Sequence, residues 1–258
     1  MLDPSYAMFP VYAVTTPEAV RVPFDDDLNV DRDSLLGSVS AGVRLVLIAN
    51  PNQPTGTLLD VDVLYELIER AGEVGAIVAI DEAYYPFSDF TVLPLLDKYP
   101  HMVMLRTFSK ASGLAGLRLG YVAGHPSVIE NLFKVRAAND INSFAILCAS
   151  LALSHPAVIE DYTVQVREGV KVLTENTKAL GLTPLPTRTN FMLVRVGQRC
   201  LPAELVERLR GHGYMVKGPF STRGMEDCIR MAVGPPDVMR DFAKVLETAL
   251  SETTDPDA

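Results

Sequence analysis

Short aliphatic runs that alternate with amphipathic stretches predict an α/β protein: a mostly parallel sheet flanked by helices, followed by a smaller C-terminal α+β domain. Two runs carry that prediction. Arg44-Leu45-Val46-Leu47-Ile48-Ala49 and Ala76-Ile77-Val78-Ala79-Ile80 are continuous apolar segments of strand length, as expected of strands buried on both faces. Between them Asp60 stands as an N-cap, and Val61, Leu64, Tyr65, Ile68 and Ala71 recur at helical spacing until Gly72 and Gly75. This makes one αβ unit.

The remaining elements follow in order. Strands are expected at 43–49, 76–80, 102–107 and 118–123, with a further one around Ala19-Val20-Arg21-Val22-Pro23. Pro126 fits the first turn of a helix running to about 138, residues 142–154 form another, and Pro156 opens a long one that ends near Gly181. A strand at 190–195, a helix at 202–211, strands at 214–217 and 228–233, and a helix from 236 to 250 complete the smaller domain. The expected division is a large domain over 1–155, a linking helix with a small domain over 156–251, and a frayed tail over 252–258.

Composition narrows the function. The chain has 258 residues, 48% hydrophobic and 21% charged, with a formal net charge of −9. It is large enough for a substantial core. Its acidity argues against nucleic acid or an anionic membrane as partner, since either calls for a basic face. Cys148, Cys200 and Cys228 are odd in number and widely spaced, which excludes a disulfide framework and fits a reducing cytoplasm. The apolar runs are too short to span a bilayer, and Met1-Leu2-Asp3-Pro4-Ser5-Tyr6 is no signal peptide. His101, His125, His155 and His212 lack metal-ligand spacing and read as surface or capping residues. No metal site is expected.

The chemistry concentrates in two segments. Lys110 lies in Thr107-Phe108-Ser109-Lys110, a polar turn followed by Gly113, Gly116 and Arg118, and the strand before it ends in Asp81-Glu82-Ala83-Tyr84. An amine that condenses with an aldehyde needs such a polar, glycine-lined turn. A carboxylate at a neighbouring strand end can keep a ring nitrogen protonated, while hydroxyls and an arginine take a phosphate. Together these parts point to pyridoxal 5'-phosphate.

Asn50-Pro51-Asn52-Gln53-Pro54-Thr55-Gly56, Asp81-Glu82-Ala83-Tyr84, Thr107-Phe108-Ser109-Lys110 with Arg118, and Ile229-Arg230-Met231-Ala232-Val233-Gly234 together resemble the ordered motifs of fold-type I aminotransferases. The nearest branch is that of the histidinol-phosphate aminotransferases. The resemblance implies that Lys110 is the covalent anchor and proton carrier, that Asp81 pairs with the ring nitrogen, and that Tyr84 and Gln53 meet the ring hydroxyl. It implies that Thr107, Ser109 and Arg118 hold the phosphate, that Tyr6 stacks on the ring, and that Arg230 with Lys217 grips an anionic donor. A small-molecule amino donor, a keto acceptor and a homodimer follow from it.

Three departures stand out. Gln53 replaces the usual asparagine, and Lys217 stands where the branch places an arginine, offering a point charge instead of a planar fork. The chain also starts at the family's Pro-x-Tyr segment. The N-terminal arm, the glycine-rich loop and the strand leading into Tyr6 are therefore expected to have no counterpart, which would leave the strand near Val22 without a neighbour. Decarboxylation of the threonine-phosphate decarboxylase kind, and a non-catalytic truncated paralogue, stay open as alternatives to transamination.

Overall fold

The structure, a computed structural model, describes residues 1–13, 18–137 and 140–252. Most of the expected tail thus lies outside the described residues. The chain divides into two compact units, Met1–Asp161 and Tyr162–Ala258. That division falls within the long helix and not at its first residue, Pro156.

The first unit contains β1 (Leu2–Asp3), α1 (Met8–Ala13), β2 (Val22–Pro23), α2 (Arg32–Gly37), β3 (Leu45–Ala49), α3 (Val61–Glu73), β4 (Ile77–Asp81), α4 (Tyr85–Ser88), β5 (Met102–Thr107), β6 (Gly120–Gly124), α5 (Pro126–Lys134) and α6 (Ser143–Ser154). The main sheet has the order β3-β4-β5-β6. β3, β4 and β5 run parallel, and β6 returns antiparallel to β5. Val78, Ile80, Met102 and Met104 are buried in its centre, each worth about 1.5–3 kcal/mol against exposure. Ala49 is in register with Asp81, and Asp81 with Leu105. The residues that follow all three strands therefore emerge at one sheet edge, where ligands of such sheets gather.

α3 buries Leu64, Leu67, Ile68 and Ala71. Asp60 holds the N-cap position but its side chain makes no capping bond. Asp31 does cap α2, accepting from the Ser34 amide at 3.0 Å. All four histidines bond at helices or their ends. His101 meets the Ile68 carbonyl of α3, His125 caps the start of α5, His155 meets the Leu151 carbonyl at the end of α6, and His212 follows the last turn of a helix and bonds Glu252.

The loop from β5 to β6 packs on α6. Phe108 and Leu119 cluster with Ala145 and Ala149, and Leu114, Leu117 and Ala152 border them. At the base of this hairpin Gly120 lies so close to β5 that a Cβ there would stand 2.6 Å from the Arg106 carbonyl oxygen.

α7 (Pro156–Ala179) leads into the second unit, which holds β7 (Thr183–Pro184), β8 (Phe191–Arg195), α8 (Pro202–Gly211), β9 (Cys228–Ala232) and α9 (Pro236–Ser251). The three strands form an antiparallel sheet of order β7-β8-β9. α8 buries Leu205, Val206 and Leu209, and α9 buries Met239, Phe242 and Leu246.

Three expectations need correction. The segment leading into Tyr6 does form a strand: β1 pairs in parallel with β2, Leu2 is buried, and the Val22 amide donates to the Met1 carbonyl at 2.9 Å. The strand near Val22 therefore has a neighbour. The expected strand at 214–217 shrinks to one bridge, Lys217 with Arg230, because the segment starts as the turn that closes α8, with the Tyr214 amide donating to the Leu209 carbonyl. α5 ends at Lys134, where the Val135 amide already turns back to the Leu132 carbonyl.

Candidate active site

The site is built from loops at the carboxyl ends of β3, β4 and β5. Asp81 is the last residue of β4 and accepts from the Ala83 amide at 2.9 Å. Burial pushes its carboxyl above the ordinary range, and the neighbouring Glu82 charge adds to that; the Ala83 bond and the Lys110 charge pull it back. Asp81 is thus a desolvated acid whose charged form would gain from a cationic partner.

Tyr84, buried three residues on, donates its hydroxyl to Gln53 Oε1 at 2.6 Å. The two residues that the resemblance assigns to one ring oxygen therefore converge on one point, and the longer side chain of Gln53 makes the reach. Lys110 Nζ lies 5.2 Å from the centre of the Tyr84 ring, inside cation–π range. Amine, carboxylate and phenol thus share one small region, as the sequence motifs require.

Thr107 and Ser109 form a second cluster. Thr107 Oγ1 donates to Ser109 Oγ at 2.9 Å and also accepts from the Ser109 amide at 3.1 Å. This gives two adjacent hydroxyls at the start of the lysine loop. Arg118 closes the same loop in the left-handed region, φ 53°. It is exposed, and its Nη1 donates to the Ala115 carbonyl at 3.0 Å. The structure thus does not bring Arg118 onto the hydroxyl pair.

Tyr6 is brought to the β3 loop by a side-chain network. Ser5 Oγ donates to Asn52 Oδ1 at 2.7 Å, and Asn52 Nδ2 donates to the Pro4 carbonyl at 3.0 Å and to Thr55 Oγ1 at 2.9 Å. Asn52 and Thr55 are both buried. The Tyr6 ring packs edge-on against Phe9, 5.6 Å between centres.

In the second unit Lys217 and Arg230 pair backbone to backbone, with N–H to O distances of 2.9 and 2.7 Å. Residues opposed in this way present their side chains to one face. Arg230 lies 4.9 Å from the Phe191 ring centre. A lysine and an arginine side by side over an apolar strand make a cationic patch suited to an anion.

Sequence reasoning missed the buried ion pair beneath the site. Glu82 has no exposed side-chain surface, and Arg106 donates to its Oε2 through Nε at 3.0 Å and Nη2 at 2.8 Å. The Val92 amide and the Thr91 hydroxyl also bond the carboxylate, at 2.6 and 2.9 Å, and Arg106 stacks 3.6 Å from the centre of the Tyr85 ring. This clamp joins the residue after Asp81 to the strand that leads to Lys110. An arginine and a glutamate inside otherwise apolar strand ends were the available signal, because such charges are seldom buried unpaired.

The comparisons with known proteins point to one family. The model of the aminotransferase class I and II family matches residues 1–246. Histidinol-phosphate aminotransferase 1 of Carboxydothermus hydrogenoformans is 32% identical over 246 residues, covering 95% of this chain and 68% of that protein. The structure of histidinol-phosphate aminotransferase from Sinorhizobium meliloti in complex with pyridoxal-5'-phosphate superposes with a TM-score of 0.83 at 27% identity, covering 95% of this chain and 68% of that one. L-threonine-O-3-phosphate decarboxylase from Porphyromonas gingivalis shares the fold, with a TM-score of 0.78 at 24% identity over 97% of this chain and 76% of its own. Nearly all of this chain thus finds a counterpart, while about a third of the relatives' length does not. On the family model and the similarity to these relatives, the chain belongs to the aminotransferase class I and II family.

Proposed function

We propose that the chain is built for amino transfer with pyridoxal 5'-phosphate, between an anionic amino donor of the histidinol-phosphate kind and a keto acceptor. The observation that carries this reading is the convergence of Lys110, Asp81 and the Tyr84–Gln53 pair at the ends of β4 and the β3 loop. The donor set fits the cofactor: a desolvated carboxylate for a protonated ring nitrogen, a phenol and an amide for a ring oxygen, and paired hydroxyls for a phosphate. The chemistry supplied by the bound cofactor is an aldehyde for amines and a ring that delocalises electrons released at a substrate carbon.

Lys110 contributes an amine, and its Nζ carries a proton between the two carbons that exchange the amino group. Asp81 holds a proton on the ring nitrogen, a role that matters most as charge develops. Tyr84 and Gln53 would fix the ring oxygen, Thr107 and Ser109 would donate to phosphate oxygens, Arg118 would join them as cation by turning its guanidinium from the Ala115 carbonyl, and Tyr6 would cover the ring. Lys217 and Arg230 hold the anionic end of the donor. A homodimer working in the cytoplasm fits this reading, as do three free cysteines.

The test is a borohydride trap. Protein incubated with pyridoxal 5'-phosphate and reduced should carry its label on Lys110, and a Lys110→Ala variant should lose it. A label spread evenly over surface lysines in both proteins would refute the assignment. Asp81→Ala should lower the single-turnover rate far more than cofactor affinity. Carbon dioxide released from an amino-acid phosphate, with no amine on the acceptor, would replace transfer by decarboxylation.

A further inference from the structure

The segment after β4 has a front and a back. Asp81 is close enough to Lys110 to feel its charge, and the Tyr84 ring lies 5.2 Å from Lys110 Nζ. The residue that follows each of them, Glu82 and Tyr85, meets Arg106 instead. The Glu82 amide donates to the Leu105 carbonyl at 2.8 Å and so extends the β4–β5 ladder by one residue. Successive side chains of a strand point to opposite faces, which sets Glu82 beside Arg106 and turns Asp81 away from it. The Arg106 guanidinium donates to Glu82 Oε2 through Nε at 3.0 Å and Nη2 at 2.8 Å, and it lies 3.6 Å from the centre of the Tyr85 ring.

A third attachment closes the loop that follows. Arg106 Nη2 donates to Thr91 Oγ1 at 2.7 Å, and the Thr91 hydroxyl and the Val92 amide donate to the two Glu82 oxygens at 2.9 and 2.6 Å. The Glu82 side chain has no exposed surface and that of Arg106 only 14%. Apolar residues of like volume often stabilise a fold as well as such a pair. What the pair adds is direction, because a planar guanidinium can hold a carboxylate, a hydroxyl and a ring face at once, whereas the point charge of a lysine cannot.

We infer that Arg106 is a positioning residue: by gripping Glu82 and Tyr85 from behind, it fixes the directions in which Asp81 and Tyr84 point beside Lys110. It also stands directly before Thr107, so one side chain ties the carboxylate and the phenol to the strand that opens the lysine loop. What Asp81 and Tyr84 then meet rests on the proposed chemistry. The grip itself does not.

The test compares Arg106→Lys and Tyr85→Leu with the unaltered chain and with Leu205→Ala, a core truncation in α8 of the second unit. Without cofactor, the carbon-13 resonances of the Asp81 carboxyl and the Tyr84 ring, assigned through Asp81→Asn and Tyr84→Phe, should both move in Arg106→Lys. Tyr85→Leu should move the Tyr84 ring, and Leu205→Ala should leave both resonances in place. With pyridoxal 5'-phosphate bound, Arg106→Lys should alter the visible circular dichroism of the cofactor. Its single-turnover rate should fall about tenfold to a hundredfold while donor affinity stays within about twofold, since misplacing reacting groups by about 1 Å costs on the order of a hundredfold. If Arg106→Lys does not fold, Tyr85→Leu carries the same readouts for Tyr84. Resonances unmoved in both variants would overturn the proposal, as would a cofactor spectrum and rate unchanged in Arg106→Lys, or the same changes in Leu205→Ala. A chain that takes up no pyridoxal 5'-phosphate would refute the proposed chemistry, and the cofactor-free resonances would still decide the grip of Arg106.

Discussion

The two units bury opposite kinds of residue. In Met1–Asp161 the buried polar residues Asn50, Asn52, Thr55, Glu82 and Ser88 gather in the segments after β3 and β4, where Asn52 bonds the Thr55 hydroxyl and Glu82 that of Thr91, while large apolar side chains stand exposed on α6. In Tyr162–Ala258 the buried polar residues are threonines. Thr177 and Thr189 bond nearby backbone carbonyls. Arg195 and Asp227 there form a partly exposed ion pair, and exposed apolar side chains such as Leu201 and Met215 are scattered singly. Scattered exposure is ordinary. The contrast teaches that the first unit places its buried polar groups beside the candidate site and carries its exposed apolar side chains together on α6, whereas the second unit scatters them.

The strongest way to break this comparison is Glu82→Ala. It strands Arg106 without its buried partner and should destabilise the chain by about 3–5 kcal/mol, read by urea unfolding. Asp227→Ala in the more exposed pair of the second unit is the matched control. Next, Leu205→Ala in α8 opens a cavity and should cost about 2–5 kcal/mol, whereas Leu151→Ala on the uncovered face of α6 should change stability within about 0.5 kcal/mol. Equal losses would mean that α6 is already covered.

Asp81→Asn sharpens the comparison through pH. Burial raises the Asp81 carboxyl above its ordinary 3.8, so the native chain holds that proton more tightly than the unfolded chain. The stability this confers is full below 3.8 and is lost as pH rises through the raised value. The chain should therefore fall in stability relative to the Asp81→Asn variant across that window and then run parallel to it. Urea midpoints of both proteins from about pH 3 to 7 decide this, and curves parallel throughout would show no desolvation of Asp81. A small effect is likewise expected for Asp227→Ala, about 0–1 kcal/mol.

Much of this architecture was legible in the residues. β3, β4 and β5 follow from unbroken aliphatic runs, and Lys110, Asp81, Tyr84 and Gln53 from motifs that a parallel sheet delivers to one edge. What escaped depends on contacts between segments far apart in sequence. A charged pair such as Glu82 and Arg106 reads as solvated until the strands are placed side by side. β1 is only two residues long and has no periodicity of its own; its existence rests on pairing with Val22 and Pro23. Arg118 illustrates the reverse case: its motif position is clear, yet where its guanidinium points is set by the turn at Ala115–Leu117.

The closeness of Gly120 to the Arg106 carbonyl has a consequence for anyone scanning this chain with random substitutions. Adding even a methyl group there would prise apart the hairpin whose loop carries Lys110, while every candidate site residue stays intact. Such a variant would score as a catalytic defect in an assay. Its cause would be a loosened hairpin, and a survey that ranks positions by reactivity of the side chain would overlook a residue that has none.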